Sequence, residues 1–304
     1  MVKVFIDGSA GTTGLRIRQR LESRQDLTLL SLSEEKRKEL SARKEMLNAC
    51  DVAFLCLPDA AAVEAVSLIE NPDVIVLDTS TAHRTDPEWT YGFPELSENH
   101  RQAIIHSKRI AVPGCHASGF IALIYPLVAA GLIAKDTFLA ATSLTGYSGG
   151  GKKMIAQYED PERPVTYDSP RQYGLTQMHK HLPEMVKVTG LQIAPAFSPI
   201  VADFYSGMEV TIPLLTDQID EIKKIYQNLY QGPIVSFSNE APSDGFLAAN
   251  ELFGKDSMKI QVFGNQERVL LSALFDNLGK GASGAAIECM NLALGLPDKT
   301  GLVL

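Results

Sequence analysis

The chain has 304 residues, 45% of them hydrophobic and 21% charged, with a formal net charge of −8. This is globular composition at a length beyond the roughly 100–200 residues of one typical domain, so two domains are expected. The acidic balance and the lack of any extended basic stripe exclude a nucleic-acid-binding surface as the organising function.

From the N-terminus, Val2–Asp7 reads as a strand, Leu15–Glu22 as a helix, Leu27–Leu32 as a strand and Glu34–Asn48 as a charged helix. Asp51–Leu57 is an apolar strand closed by Pro58, Ala60–Ile69 a helix and Val74–Asp78 a further strand. Strand and helix in alternation predict a parallel, doubly wound sheet, and strands apolar throughout fit burial on both faces. The pattern changes after Gly114. A long apolar helix is predicted over Ala117–Ala130, then strands at Phe138–Thr145, Gln192–Phe197, Gly207–Pro213, Ile234–Phe237, Lys259–Gly264 and Arg268–Ala273. Helices are predicted near Leu182–Val188 and Asp217–Tyr230. Many strands with few helices suggest a mixed or antiparallel sheet covered on one face. The last apolar helix, Gly281–Gly295, is expected to return to the first domain. The domain expectation is therefore 1–114 plus 281–304 for dinucleotide binding, and 115–280 for catalysis and oligomerisation. Cys115–Ala134 is apolar but broken by His116, Pro126 and Gly131, and barely long enough to span a bilayer, so a buried helix is the better reading.

Gly8-Ser9-Ala10-Gly11-Thr12-Thr13-Gly14 sits between the first strand and first helix, where a nucleotide-binding turn belongs. Glycines there permit positive φ and close approach of backbone to a pyrophosphate at a helix N-terminus. The spacing is GxxGxxG, not the commoner GxGxxG. The second strand ends without the acid that holds a ribose 2′-hydroxyl. Ser31 and Ser33, with Lys36 or Arg37, suit a 2′-phosphate and so NADP, while Glu34 argues the other way.

Of the cysteines Cys50, Cys56, Cys115 and Cys289, none forms a CxxC pair or a zinc-like cluster, so no metal is expected. Few scattered thiols, and an N-terminus without an apolar signal segment, give the expectation of a cytoplasmic protein. Three cysteines lie in apolar runs. Cys115 alone follows a Pro113-Gly114 turn at a predicted helix N-terminus, where dipole and free N–H groups favour the thiolate. A thiolate beside a nicotinamide implies attack on an acyl phosphate, loss of phosphate to leave a thioester, and hydride reduction to an aldehyde. In His179-Lys180-His181-Leu182-Pro183-Glu184 either His179 or His181 can serve as acid/base, just before a helix whose first turn holds proline. His83, His100, His106 and His116 read as structural or exposed. Arg84, beyond the Val74–Asp78 strand, suits a phosphate or carboxylate. The loop Ser148-Gly149-Gly150-Gly151-Lys152 brings backbone toward a cofactor or an oxyanion.

Together these residues resemble the N-acetyl-γ-glutamyl-phosphate reductase family in its shorter type. The resemblance is carried by Gly8–Gly14, the segment ending at Arg84, Tyr91–Leu96, Pro113-Gly114-Cys115, Ser148–Gly151, His179–Glu184 and Asp276–Gly284. It implies an NAD(P)-binding Rossmann domain with a glyceraldehyde-3-phosphate-dehydrogenase-like α+β catalytic domain. It implies Cys115 as nucleophile, NADP as cofactor and reductive dephosphorylation of N-acetyl-γ-glutamyl phosphate in arginine biosynthesis; a homo-oligomer, dimer or tetramer, is expected because many apolar two-domain enzymes self-associate. On the same footing Arg84, Lys152 and Glu184 are expected at the substrate, and Ser148, Gly149 and Asn277 near the nicotinamide. The chain departs from the longer type at Cys115-His116-Ala117, where an aromatic and a proline are more usual. His181 is the preferred base and His179 the second. The rival readings are an aspartate-semialdehyde dehydrogenase, which the HxHxPE element opposes, and a non-catalytic dinucleotide sensor, which retention of Cys115, both histidines and Arg84 opposes.

Overall fold

A computed structural model describes residues 1–304, which form two compact units. The first comprises Met1–Pro94, Glu98–Gly114 and Ala282–Leu302; the second comprises Glu95–Ser97, Cys115–Gly281 and Val303–Leu304.

The first unit begins β1 (Val2–Asp7), α1 (Thr12–Leu21), β2 (Leu27–Leu30), α2 (Leu40–Ala49), β3 (Val52–Leu55), α3 (Asp59–Ser67) and β4 (Ile75–Asp78). It continues with β5 (Thr90–Tyr91), α4 (Glu98–His106) and β6 (Arg109–Ala111). The six strands are all parallel in the order β2-β1-β3-β4-β6-β5. The chain leaves β1 for one neighbour and returns to the other, which opens a crevice beyond the carboxyl ends of β1 and β3. Side chains alternate across the sheet and both sets are buried: Val4, Ile6, Phe54 and Leu77 on one face, Phe5, Ala53, Leu55 and Val76 on the other. That is why these strands read as unbroken apolar runs.

The predicted helix over Glu34–Asn48 is instead a single 3₁₀ turn, Lys36–Lys38, followed by α2, because Glu39 between them is extended (φ −75°, ψ 122°). The short β5, α4 and β6 lie in a stretch without a clear apolar period, and the sequence pattern does not predict them.

The second unit holds α5 (Cys115–Ala129), β7 (Ala140–Gly146), α6 (Gly151–Glu159), β8 (Arg171–Gln172), α7 (Leu182–Thr189) and β9 (Ala196–Ala202). Then come β10 (Met208–Leu215), α8 (Ile219–Leu229), β11 (Val235–Ser238), β12 (Met258–Gly264) and β13 (Arg268–Phe275). The seven strands form one mixed sheet, β11-β12-β13-β10-β7-β9-β8. The strand expected at Gln192–Phe197 lies further on, as β9, with Pro199 inside it paired opposite Ser143. Helix α5 lies so close on the sheet that a Cβ at Gly119 would come within 2.5 Å of Val210 Cγ2. Pro126 inside α5 has no N–H for the Ala122 carbonyl. Tyr230 Oη, just after α8, donates to that carbonyl at 2.7 Å, and Tyr226 of α8 donates to the carbonyl of Leu123. A π turn, Gly279–Ser283, leads into α9 (Gly284–Ala293), whose residues pack in the core of the first unit. The predicted last helix thus begins three residues later than expected. No helix is long and apolar enough to cross a membrane.

Candidate active site

In the first unit the glycine turn is shaped by steric necessity at two positions. Gly8 has φ +85°, and a Cβ there would lie 2.2 Å from the Cys56 carbonyl oxygen; one at Gly14 would lie 2.5 Å from the Gly8 oxygen. Gly11 differs: a Cβ would meet nothing in the protein closer than 3.4 Å. The fold does not demand glycine at Gly11, so its bareness leaves room for something else. Gly11 stands just before α1, which has no side-chain cap and no acidic residue in its first turn, and the buried Thr12 Oγ1 has no partner. Uncapped amides, a partial positive charge and an orphan hydroxyl fit a pyrophosphate.

A cavity of about 990 Å³ opens in front of this turn, walled by Gly8–Gly11, Ser31, Glu34, Arg37 and Lys38. Ser33 and Lys36 do not line it, nor do Thr12, Thr13 and Gly14. The 3₁₀ turn presents Arg37 and Lys38 instead of Lys36, and Arg37 pairs with Glu34 at 3.0 Å. The wall is braced by a buried ion pair, Arg43 Nε to Asp7 Oδ2 at 3.0 Å, with Arg43 also reaching Glu64 at 2.8 Å. Arg84 is buried, and donates from Nε to the Val112 carbonyl and from Nη2 to the Thr79 carbonyl, both at 2.9 Å. These bonds tie the chain after β6 to the chain after β4.

In the second unit Cys115 is the first residue of α5, half-buried and in no disulfide. Burial pushes Cys50 and Cys56 up to about 12, and Cys289 is buried with its Sγ on the Gly92 carbonyl at 3.3 Å. The π turn passes directly beneath Cys115: a Cβ at Gly281 would lie 3.0 Å from Cys115 Cβ.

The next residue, His116, is the centre of a cluster of rings, and its burial agrees with the structural alternative, not the exposed one, that its sequence context suggested. It is buried, its Nδ1 is 2.7 Å from Ser143 Oγ and its Nε2 is 2.6 Å from Tyr173 Oη. The rings of His179 and His181 stand 5.4 and 5.6 Å from it, and 4.7 Å from each other. Burial pushes His116 down to about 3; burial and the charge of Lys180 push His179 down to about 4. His179 Nδ1 accepts the His181 backbone N–H at 3.2 Å, so a neutral His179 carries its proton on Nε2. His181 directly precedes α7 without a side-chain capping bond and is buried, as is Glu184 in the first turn.

The loop bearing these histidines is clamped by Gln177, at φ +56°. Its side chain donates to the Phe197 carbonyl and accepts the Phe197 N–H, both at 2.8 Å, as a neighbouring strand would. Tyr173 in that loop and Ser143 on β7 were missed by sequence reasoning. Nothing local marks either residue; only the fold brings them to His116.

The other predicted residues divide. Asn277 and Ser148 are buried and bond to each other at 3.0 Å, with Asn277 Oδ1 accepting the Gly207 N–H at 2.9 Å. They shape the loop from within and leave Gly149 at its exposed surface. Lys152 is exposed on α6. Lys280, unremarked in the sequence, is buried and pairs with both oxygens of Glu95 at 2.7 and 2.8 Å. No three His, Cys, Asp or Glu side chains converge to hold a metal ion.

Residues 3–104 match the semialdehyde dehydrogenase NAD-binding domain, and residues 115–277 match the semialdehyde dehydrogenase dimerisation domain. The chain is 43% identical to N-acetyl-gamma-glutamyl-phosphate reductase 2 of Nostoc sp., over 99% of both chains. It is 46% identical to N-acetyl-gamma-glutamyl-phosphate reductase of Rhizobium johnstonii, over 96% of this chain and 98% of that one. Among solved structures, aspartate semialdehyde dehydrogenase II of Vibrio cholerae superposes with a TM-score of 0.72 at 16% identity, over 97% and 99% of the two chains. The NADP-bound aspartate semialdehyde dehydrogenase of Candida albicans gives 0.66 at 14%, over 99% and 100%. At such identities the structural likeness speaks for the fold alone.

Proposed function

The chain belongs to the semialdehyde dehydrogenase family, and on that premise we propose that it is an N-acetyl-γ-glutamyl-phosphate reductase of arginine biosynthesis. It reduces N-acetyl-γ-glutamyl phosphate with NADPH, releasing phosphate and N-acetylglutamate semialdehyde. The observation that carries the chemistry is Cys115, half-buried and the one cysteine at the N-terminus of a helix, followed by buried His116 with His179 and His181 around it.

Cys115 is the nucleophile. The α5 N-terminus favours its thiolate, which attacks the acyl carbon and expels phosphate to leave a thioester. When bound, NADPH supplies the hydride that reduces this thioester. His181 gives a proton to the resulting oxygen and takes it back as the aldehyde leaves, restoring the thiolate. His179 and His116 are poor candidates for that exchange, because burial holds them neutral down to about 4 and about 3. Glu184 and Lys152 serve the substrate. Arg84, two of whose donors hold main-chain carbonyls, keeps the chain before Cys115 in place.

Gly8–Gly11 and the start of α1 hold the pyrophosphate. Arg37 and Lys38, with Ser31, meet the 2′-phosphate and set NADP above NAD. The dimerisation domain makes the protein a homo-oligomer; a cytoplasmic dimer or tetramer fits a biosynthetic enzyme of this kind.

The reverse assay tests the reading: N-acetylglutamate semialdehyde, phosphate and NADP⁺ should yield NADPH, and Cys115→Ser should abolish it. Turnover of aspartate semialdehyde in its place would assign the chain to the other activity of the fold.

A further inference from the structure

We propose that the Tyr173 hydroxyl donates a hydrogen bond to the acyl oxygen at Cys115, aimed by a fixed chain that runs Ser143–His116–Tyr173. The proposal rests on Cys115 as the acylated nucleophile. It assigns a catalytic role to Tyr173 and a positioning role to His116 and Ser143.

The argument follows the protons. Ser143 Oγ lies on β7, fully buried, with His116 Nδ1 as its partner at 2.7 Å. A buried hydroxyl keeps its proton in a hydrogen bond, so Ser143 donates and Nδ1 accepts. His116 is neutral, because burial pushes it down to about 3, and has a single ring proton. With Nδ1 accepting, that proton is on Nε2 and is donated to Tyr173 Oη at 2.6 Å. Tyr173 therefore receives a bond from His116 and must direct its own proton elsewhere. Burial raises Tyr173 and keeps it protonated, and its bond to His116 ties the phenol to the residue that directly follows Cys115 at the start of α5.

The phenol is also held at its backbone. Tyr173 N–H donates to the Pro199 carbonyl at 3.0 Å, and the loop beyond it is clamped by Gln177 to Phe197. The result is a donor fixed before the reaction, which is what stabilises a developing oxyanion. The cysteine sulfur bonds to the carbonyl carbon, and the carbonyl π pair moves to oxygen. Tyr173 O–H bonds to that oxygen without giving up its proton. The pair then returns as the leaving group departs with the bond it shared with carbon.

Acylation by p-nitrophenyl acetate tests this without natural substrate or NADPH, through the burst of nitrophenolate. The burst should be absent in Cys115→Ser; if it persists there, the reading of Cys115 has failed, and this proposal with it. With that control in place, Tyr173→Phe should slow the burst about 10²-fold, the loss typical of one oxyanion donor, with amplitude and NADPH binding unchanged. His116→Gln keeps a donor near the Nε2 position and should slow it less than about tenfold, whereas His116→Leu should match Tyr173→Phe. A double variant combining His116→Leu with Tyr173→Phe should be no slower than either alone, since both remove one device. Tyr173→Phe acylating within about threefold of the unaltered chain would overturn the proposal. Equal rates for His116→Gln and His116→Leu would also overturn it, and that pair decides the matter if Tyr173→Phe does not fold.

Discussion

Lowering the pH should destabilise the second unit through His116. In the folded chain this imidazole is pushed from its ordinary 6.5 down to about 3, chiefly by burial, with the neighbouring His179 acting in the same direction. The other titratable groups that face it are His181 and Tyr173. Between those two pH values the unfolded chain binds a proton here and the folded chain does not, so stability rises with pH across the window. The contribution is fully present above 6.5 and is lost as pH falls toward 3. At pH 5 the unfolded site prefers its proton by a factor of about 30, which is about 2 kcal/mol relative to neutral pH. For a domain of this size that corresponds to a fall of about 4–8 °C in Tm. His179, pushed down to about 4 but only half-buried, adds a smaller loss of the same sign. Scanning calorimetry of the unaltered chain and His116→Gln at pH 7 and pH 5 isolates the site, because every other titration is common to both. The Gln variant should start less stable and lose about 2 kcal/mol less on acidification. Parallel losses in the two proteins would refute the claim that His116 is a neutral buried base.

Further substitutions probe the surrounding geometry. Gly281→Ala puts a methyl 3.0 Å from Cys115 Cβ and 3.2 Å from the Asp276 carbonyl and the Phe275 ring, and should lower kcat by up to about 10²-fold through displacement of the thiol with a stability loss of about 1–3 kcal/mol; unaltered kcat would show that the turn does not set the thiol. Gly8→Ala and Gly11→Ala should separate fold from binding. The first meets the Cys56 oxygen and should unfold or strongly destabilise the unit, whereas the second should keep its Tm and lose NADPH affinity in titration calorimetry, at least about tenfold. Lys280→Met leaves the Glu95 carboxylate without its ammonium and should cost about 3 kcal/mol in denaturant unfolding; adding Glu95→Gln should restore part of it, and no restoration would mean the loss is packing alone.

Local physics made the cofactor half of this fold readable. Strands buried on both faces are apolar almost throughout, so β1, β3 and β4 announce themselves, and glycine is required at Gly14 by the Gly8 carbonyl within the turn and at Gly8 by the Cys56 carbonyl beyond β3. Cys115 was legible for a similar reason: a Pro-Gly turn before an apolar run places a thiol at a helix start. The corner proposed for the 2′-phosphate was less visible. One extended residue, Glu39, cuts the expected helix and leaves a 3₁₀ turn whose Arg37 and Lys38, not Lys36, line the cavity.

The proton-handling half of the site was the least legible, because it is assembled across distance. Ser143, His116 and Tyr173 are separated by up to 57 positions, and each taken alone is an ordinary polar residue in an apolar or loop setting. A histidine inside the run CHASGFIALIYPL reads as a tolerated core residue until β7 supplies a hydroxyl on one nitrogen and the Gln177-clamped loop supplies a phenol on the other. Burial then makes the two bonds directional. A charged imidazole would donate at both nitrogens and erase the polarity of the chain, whereas a neutral one must accept at one end and donate at the other. The desolvation that costs stability in acid is thus the same property that fixes which way Tyr173 points its proton. For that reason, loss of the acid sensitivity and loss of the Tyr173 effect should appear together in His116→Leu.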